Sequence, residues 1–251
     1  MIALVTGGAS GIGLSFSKRL ADLGYDLIIV GRTLETLAQA QKEIQEKYKV
    51  KVQIFIADIT KAESREKLYD YASNYEVSLV VNNAGKGLSK DFYDATIDEE
   101  MAMLQLNIVA LQHIMKHFYR IFVDKKAGRI INISSIAGFV PGSGAATYYA
   151  SKAYVTSLTR AVAKEAKKNN VIIQAVCPGA TKSNFHAAAQ TKEKVYNQNP
   201  DKLALKALDS KKTVVVVGFK NKLIHVISKV LPQAWIASFV YRRQRKIRVS
   251  K

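Results

Sequence analysis

The sequence predicts an α/β protein with a doubly wound parallel sheet of about seven strands and helices on both of its faces. Short apolar runs alternate along the chain with longer stretches in which Leu, Ala and Ile recur every three or four positions. The short runs are apolar at almost every position, as in parallel strands that are covered on both faces. This repetition indicates right-handed crossovers within one sheet.

The strand and helix candidates follow one another in a regular order. Strands are predicted at the β-branched runs 2–5 (IALV), 26–30 (DLIIV), 52–56 (VQIFI), 78–81 (SLVV), 129–133 (RIINI), 171–176 (VIIQAV) and 213–217 (TVVVV). Helices are predicted at 33–48, 61–75, 99–123 and 148–168. The longest irregular stretch is 178–200, and a connection of this length usually forms a lid or a binding segment.

These elements indicate a single domain over residues 1–218, with a substrate lid at about 180–205 and a C-terminal segment at 219–251. A chain of 251 residues with 48% hydrophobic and 23% charged residues is ordinary for a globular protein. Cys177 is the only cysteine, so no intrachain disulfide can form. Neither a secretory signal nor an apolar run of about 18 residues is present, so we expect a cytoplasmic protein. The four histidines lack a convincing metal-ligand spacing, and no metal is expected.

Positive charge is concentrated towards the end of the chain. The net charge is +18, and no acidic residue follows Asp209. Residues 220–241 have apolar positions at helical spacing on both sides of Pro232, which indicates two short amphipathic helices. Two interpretations stay open. The segment closes the substrate pocket or a subunit contact, or it lies on an anionic membrane with Trp235 at the boundary, which would make the protein peripheral to a membrane. No aromatic-lined basic groove is found, so nucleic acid is not an expected partner.

A glycine-rich loop joins the first strand to the first helix. Residues 6–13 read TGGASGIG. Glycines at this position let the backbone turn tightly and approach a pyrophosphate, which is stabilised by the helix N-terminus. The loop therefore predicts a dinucleotide site.

Together with further motifs, this loop resembles the short-chain dehydrogenase/reductase family. Its T-G-x-x-x-G-x-G spacing is that of the family, and ADIT (57–60), NNAG (82–85), NISSIAG (132–138) and PG (178–179) end successive strands. The Y-x-x-x-K motif begins at Tyr148, and the resemblance extends over residues 1–218 in order. It implies a Rossmann fold and an oxidoreductase that acts on CH–OH groups with a nicotinamide cofactor.

The resemblance also implies the site residues. The catalytic residues would be Asn107, Ser135, Tyr148 and Lys152. Ser183 stands where the family often has a threonine that contacts the nicotinamide amide. The cofactor would be bound by Thr6, Gly7, Ser10, Gly11, Ile12, Gly13, Arg32, Asp58, Ile59, Asn83, Ala84, Gly85, Tyr148, Lys152, Pro178, Gly179, Thr181 and Ser183.

The end of the second strand bears on the choice of cofactor. An NAD site needs an acidic residue there to accept a hydrogen bond from the ribose 2′-hydroxyl. Gly31 occupies that position, and Arg32 follows with a guanidinium that suits a 2′-phosphate. Thr33 or Ser10 could add a hydroxyl. We therefore expect NADP(H).

Two adjacent tyrosines raise the question of which one is catalytic. Helical spacing allows Lys152 to meet either, but neighbours diverge by about 100°, so both cannot face one site. The family places the tyrosine four residues before the lysine and thirteen after the serine, which selects Tyr148 with Ser135. Tyr149 is then expected to pack or to face a neighbouring subunit. In the family the lysine lowers the tyrosine pKa and binds the nicotinamide ribose, the serine stabilises the substrate oxygen, and the asparagine, here Asn107, holds a water for proton relay.

The expected function is NADP(H)-dependent reduction of an apolar or acyl-type carbonyl, or the reverse oxidation. One alternative is a 3-oxoacyl reductase acting on carrier-bound thioesters. Another is a non-catalytic NADP(H)-binding regulator, against which the four intact catalytic residues argue. The family also implies a homodimer or homotetramer formed through the long helices 99–123 and 148–168.

Overall fold

The computed structural model describes residues 1–181 and 198–247, with side chains as far as Arg242. Seven strands form one sheet in the order β3-β2-β1-β4-β5-β6-β7, and every neighbouring pair is parallel. The predicted fold class is confirmed. The strands are β1 (Ile2–Thr6), β2 (Asp26–Gly31), β3 (Val52–Ile56), β4 (Val77–Asn82), β5 (Gly128–Ile133), β6 (Val171–Cys177) and β7 (Val214–Val216).

Helices connect these strands on both faces of the sheet. They are α1 (Gly11–Asp22), α2 (Leu34–Lys47), α3 (Ala62–Ser73), α4 (Ile97–Leu104), α5 (Leu111–Asp124), α6 (Ala146–Ala166), α7 (Pro200–Asp209), α8 (Phe219–Val230) and α9 (Gln233–Ile247). A π-helical turn, Gln105–Ala110, joins α4 to α5, so the predicted helix 99–123 consists of three segments. In the described parts of the chain, no helix combines the length and the apolar character needed to cross a membrane.

The strands are apolar on both faces because each face is covered by helices. Ala3, Val5 and Ile29 pack in a core with α1, α2 and α7, whereas Leu4 and Ile28 pack in a second core with α3, α5 and α6. Alternate residues of a strand point to opposite faces, so a strand between two cores must be apolar throughout. The continuous apolar runs of the sequence have this origin.

One row across the centre of the sheet is polar instead. Thr6 of β1 pairs in register with Asn82 of β4, which pairs with Asn132 of β5. These three side chains are buried, and Asn82 Nδ2 donates to Asn132 Oδ1 at 2.9 Å. Asn132 Nδ2 in turn donates to Thr159 Oγ1 of α6 at 3.0 Å. The row therefore fixes α6 relative to the carboxyl ends of the central strands.

The end of the predicted lid belongs to the core rather than to a movable segment. Residues 200–205 form the first part of α7, in which Leu203 and Ala204 are fully buried. Ser15 Oγ of α1 donates to Asp201 Oδ1 at 2.6 Å, which ties the two helices together. No helix was predicted at this position, because a helix of ten residues gives only a short apolar pattern. Residues 182–197 of the predicted lid lie outside the described residues.

A single arginine holds the C-terminus of α7 against the sheet. The half-buried Arg129 guanidinium, at the start of β5, donates to the carbonyl oxygens of Ala207 and Ser210, both at 2.8 Å, and Leu208, at 2.7 Å. It also donates to Gln174 Oε1 at 2.7 Å. The last carbonyls of a helix have no partner within the helix, and a cation there also meets the negative end of its dipole. Arg129 satisfies both requirements.

Replacing Arg129 with alanine should destabilise the fold. The variant removes the guanidinium donor from three carbonyls and from Gln174 Oε1, so we expect the free energy of unfolding to fall by about 2–4 kcal/mol, measured by urea denaturation. Arg120→Ala removes an exposed arginine from α5 and should change the free energy by less than about 0.5 kcal/mol. Equal effects of the two substitutions would contradict the proposed role of Arg129 in holding the end of α7.

Candidate active site

The glycine loop after β1 has a backbone conformation that favours glycine at its tightest points. Gly7 and Gly11 have φ values of +63° and +51°, in the left-handed region. A Cβ atom on Gly13 would lie 2.0 Å from the carbonyl oxygen of Gly7, so a side chain has no room there. The first turn of α1 contains no acidic residue, and its N-terminus is suited to an anionic group.

Hydrogen bonds from β4 hold this loop in place. Thr6 Oγ1 accepts from the backbone nitrogens of Asn83 at 3.0 Å and Ala84 at 3.1 Å. Asn83 Nδ2 donates to the carbonyl oxygens of Thr6 at 3.0 Å and Gly7 at 3.1 Å. The motifs TGGASGIG and NNAG are therefore one structural unit, in which Thr6 and Asn83 support the loop.

A cavity of about 530 Å³ opens between the carboxyl ends of the strands. Of the residues predicted to bind a cofactor, those that line it are Thr6, Gly7, Ser10, Arg32, Asp58, Ile59, Ala84 and Gly85. Lys61 and Lys86 line it as well and were missed, because an isolated lysine in a loop gives no sequence signal. The cavity, the glycine-rich loop after β1 and the N-terminus of α1 fit the pyrophosphate and adenosine of a dinucleotide.

The rim of the cavity near β2 and β3 combines one carboxylate with two cations. Asp58 accepts from the backbone nitrogen of Thr60 at 3.0 Å and from its hydroxyl at 2.7 Å. Burial alone would raise the pKa of Asp58, but the hydrogen bonds from Thr60 and the nearby Arg32 and Lys61 leave it below its usual value. Asp58 is thus ionised at neutral pH.

The four predicted catalytic residues lie in one connected group beside Gly85, which lines this cavity. Gly85 lines the cavity, and a Cβ atom placed on it would lie 3.1 Å from Asn107 Oδ1 and 3.6 Å from Lys152 Nζ. Lys152 is buried, donates from Nζ to the carbonyl oxygen of Ile133 at 3.0 Å, and lies 5.9 Å from the centre of the Tyr148 ring. The Tyr148 side chain is hydrogen-bonded to Ser135.

The two tyrosines have different surroundings. Their rings are nearly perpendicular, with centroids 6.0 Å apart. Tyr148 meets Ser135, whereas the ring of Tyr149 packs on Gly142, where a Cβ atom would lie 2.0 Å from Tyr149 Cγ. Tyr149 therefore packs within the chain, and packing was one of the two roles expected for it.

The side-chain amide of Asn107, in the π-helical turn, makes three hydrogen bonds to neighbouring segments. Its Oδ1 accepts from the backbone nitrogen of Lys86 at 2.9 Å, and its Nδ2 donates to the carbonyl oxygen of Lys86 at 2.9 Å and to Ser151 Oγ at 3.2 Å. The Ser151 hydroxyl donates to the carbonyl oxygen of Tyr148 at 2.7 Å. Asn107 thus connects the segment after β4 to the helical turn that carries Tyr148.

The segment after β5 is fastened to α6. Ser134 Oγ donates to the carbonyl oxygen of Lys152 at 2.8 Å and lies 2.7 Å from Thr156 Oγ1. A Cβ atom on Gly138 would lie 2.6 Å from the same carbonyl oxygen, so the two segments are in close contact. Ser135 is therefore fixed relative to Lys152 and Tyr148 through its neighbour Ser134.

Burial shifts the pKa values of Tyr148 and Lys152 in opposite directions. Burial raises the pKa of Tyr148 above its usual value, the hydrogen bond with Ser135 opposes this, and Tyr149 adds to it. Burial lowers the pKa of Lys152 to about 8. Burial is the largest influence on the Tyr148 pKa, and the lowering by Lys152 that the family implies stays a prediction.

The residues after β6 lie on the other side of Ser135. The Pro178 carbonyl oxygen accepts from Ser135 Oγ at 3.4 Å. The backbone nitrogen of Gly179 donates to Gln198 Oε1 at 2.9 Å, and Thr181 Oγ1 donates to the Gly179 carbonyl oxygen at 2.9 Å. Gln198 was not anticipated, since its contact spans a connection whose path the sequence does not reveal. The predicted contact at Ser183 lies outside the described residues.

Comparisons with known proteins agree with this arrangement. The sequence profile of the family described as short chain dehydrogenase matches residues 1–194. The chain is 30% identical to the 3-oxoacyl-(acyl-carrier-protein) reductase FabG of Aquifex aeolicus over 203 residues, which cover 79% of this chain and 82% of that protein. It is 33% identical over 178 residues to the very-long-chain 3-oxoacyl-CoA reductase of Coprinopsis cinerea, which covers 69% of this chain and only about half, 52%, of that protein.

A solved structure has the same fold over almost the whole chain. The short-chain dehydrogenase from Sphingobium yanoikuyae, in complex with NADPH, superposes with a TM-score of 0.83 and 26% identity. The match covers 98% of this chain and 94% of the other.

The low pKa of Lys152 makes stability depend on pH in a defined direction. Because this pKa is about 8 in the folded protein and 10.5 in the unfolded chain, the unfolded chain binds more protons between these values, and stability rises with pH across that range. Lys152→Met lacks this titration. Relative to the variant, wild type should therefore gain about 3 kcal/mol of unfolding free energy from pH 8 to pH 10.5 in urea denaturation.

Lys164→Met is the matched control, since Lys164 is an exposed lysine of the same helix. Its stability should run parallel to that of wild type over the whole pH range. A constant difference between wild type and Lys152→Met from pH 7 to pH 10.5 would contradict the shifted pKa.

Proposed function

The chain belongs to the short-chain dehydrogenase family, and we propose that it reduces the carbonyl group of an apolar or acyl-type substrate to an alcohol with NADPH. The observation that carries this proposal is the connected group of Ser135, Tyr148, Lys152 and Asn107, whose last two members lie beside Gly85 of the cavity lining. When bound, the nicotinamide supplies the hydride for the carbonyl carbon.

In this proposal Tyr148 is the proton donor. Its raised pKa keeps the phenol protonated at neutral pH, so it can donate to the carbonyl oxygen as negative charge develops there. Ser135 is hydrogen-bonded to Tyr148, and its hydroxyl can donate to the same oxygen and stabilise that charge. Both groups are held by neighbouring segments before a substrate arrives, which lowers the cost of orienting them.

Lys152 and Asn107 have supporting roles in this proposal. With a pKa of about 8, Lys152 is mostly protonated at neutral pH, and its ammonium is available to a ribose hydroxyl near Gly85. Asn107 positions the Lys86 backbone and, through Ser151, the turn that carries Tyr148. We therefore propose Asn107 as a positioning residue, beside the water-holding role that the family implies.

The preference for NADP(H) rests on charge. Gly31 leaves the end of β2 without a carboxylate, and Arg32 and Lys61 line the cavity nearby, where a 2′-phosphate would be neutralised. The Sphingobium yanoikuyae structure, which is similar over almost the whole chain, contains NADPH. Both observations favour the phosphorylated cofactor.

A 3-oxoacyl thioester is the second candidate within the same chemistry. The relatives from Aquifex aeolicus and Coprinopsis cinerea are both named as 3-oxoacyl reductases, one for a carrier protein and one for coenzyme A. The cationic chain, with a net charge of +18, would suit an acidic carrier. Such substrates therefore belong in the test panel.

Replacing either tyrosine with phenylalanine tests the assignment of the proton donor. Tyr148→Phe should lower kcat by about 10²–10⁴-fold, because the proton donor is lost. Tyr149→Phe should leave kcat within about threefold, because its ring packs on Gly142 and keeps that contact. The measurement is the loss of NADPH absorbance with ketones, aldehydes and 3-oxoacyl thioesters. If wild type binds NADPH tightly yet turns over no panel member, the regulator becomes the better account.

The charge at residue 31 tests the cofactor preference. Gly31→Asp should shift the ratio of kcat/KM for NADPH over NADH towards NADH by at least about tenfold, because a carboxylate repels the 2′-phosphate. The three atoms nearest to a Cβ atom at this position belong to the Leu37 side chain, the closest at 3.3 Å, so a small adjustment of Leu37 makes room for it. Gly31→Asn has the same shape without the charge, and its shift should be much smaller. Equal shifts, or equal use of both cofactors by wild type, would refute this basis for the preference.

A further inference from the structure

Helix α8 turns its apolar side chains to solvent and several polar ones to the protein. Asn221 and Ser228 are buried, at 7% and 8% exposure. At about 100° per residue, the exposed apolar side chains fall within an arc of about 100° on the opposite face. These side chains are Phe219 (81% exposed), Leu223 (49%), Val226 (56%), Ile227 (39%) and Val230 (76%).

The exposed apolar surface continues into α9. Trp235 and Phe239, one turn apart, are each 70% exposed, while Ile236 between them is buried. Leu231 in the connection and Tyr241 also belong to the exposed set. We call these nine side chains of residues 219–241 the C-terminal apolar surface. A concentration of exposed apolar side chains of this kind is typical of an interaction site.

Cations surround the C-terminal apolar surface. Lys220 lies on one flank of the α8 apolar arc, and Lys222 and Lys229 lie on the other, all of them exposed. From residue 210 to the end, the sequence contains eleven lysines and arginines and no aspartate or glutamate. The occupant of this surface must therefore be both apolar and anionic.

We infer that the C-terminal apolar surface docks onto a bilayer that contains anionic phospholipid, with α8 and α9 lying in the plane of the interface. Apolar side chains would enter the boundary of the acyl region, Trp235 would sit at headgroup depth, and the lysines would meet the phosphates. A second copy of the chain is a poorer occupant, since it would bring two cationic surfaces together without acidic partners.

The docking surface is also close to the site proposed for catalysis. Helix α8 packs on the turn Ile136–Phe139, which directly follows Ser135, and the rings of His225 and Phe139 are 4.0 Å apart. Asn221, on the inner face of α8, lies against Gly179, where a Cβ atom would be 2.5 Å from Asn221 Oδ1. The docking itself does not depend on the proposed reaction.

The single tryptophan allows a direct test in the full-length chain. Vesicles of phosphatidylcholine with 30% phosphatidylserine, about the amount that gives a strongly anionic surface, are compared with pure phosphatidylcholine vesicles. We expect co-sedimentation with the anionic vesicles only, reduced by added salt, together with a blue shift of Trp235 emission and its quenching by brominated lipid. Absence of co-sedimentation with either vesicle would refute the inference.

Two pairs of variants separate apolar contact from charge. Val230→Ser with Phe239→Ser should weaken vesicle binding at least about tenfold, whereas Leu23→Ser with Leu34→Ser, two exposed leucines outside the surface, should not. Replacing Lys220, Lys222 and Lys229 with glutamine should weaken it by at least about tenfold as well. The same loss of charge at the exposed Lys49, Lys67 and Lys168 should have a smaller effect.

Light scattering during size-exclusion chromatography decides between the two occupants. If Val230→Ser with Phe239→Ser lowers the oligomeric mass and leaves vesicle binding unchanged, the surface is a contact between copies, and the inference is wrong. Unchanged mass with lost vesicle binding supports it. NADPH binding by each variant is measured as a check that the fold is intact.

Discussion

The position of every functional group depends on how the carboxyl ends of β1, β4 and β5 are tied together. Thr6, Asn82 and Asn132 form a buried polar row across these strands, and Asn132 extends it to Thr159 of α6. Buried polar groups are costly unless they are paired, so the bonds from Asn82 to Asn132 and from Asn132 to Thr159 favour one arrangement of the strand ends and α6. The glycine loop is supported at one end of this row, and the helix that carries Tyr148 and Lys152 is anchored at the other.

The sequence was a good guide wherever structure is local or repeated. The strands could be located because a strand between two cores must be apolar throughout, and the loop after β1 because its tight turn and close contacts favour glycine. The catalytic cluster came from motif spacing, and the structure brings its members together. The lid boundary was misplaced, since the burial of Leu203 against α1 depends on a contact between segments almost two hundred residues apart. The π-helical turn at Asn107 is likewise set by a partner, Lys86, that is distant in sequence.

Electrostatics was the least predictable property. A nearby ammonium lowers the pKa of a phenol and burial raises it, and which effect is larger depends on the packed structure, in which burial is the largest influence on Tyr148. Similarly, the sequence showed that α8 is amphipathic, but it did not show whether its apolar or its polar face would pack against the protein. Asn221, on the inner side of α8, donates from Nδ2 to the carbonyl oxygen of Val217, just after β7, at 2.7 Å, and the apolar side of the helix faces outward.

The buried Lys152 also couples proton uptake to ligand binding. Any ligand that accepts a hydrogen bond from the ammonium favours its charged form and raises the pKa from about 8. Near and above that pH, binding then draws a proton from solution, and the apparent affinity falls as the pH rises. The heat of binding would accordingly vary with the ionisation enthalpy of the buffer. The burial of Lys152 thus makes ligand binding in the cavity sensitive to mildly alkaline pH.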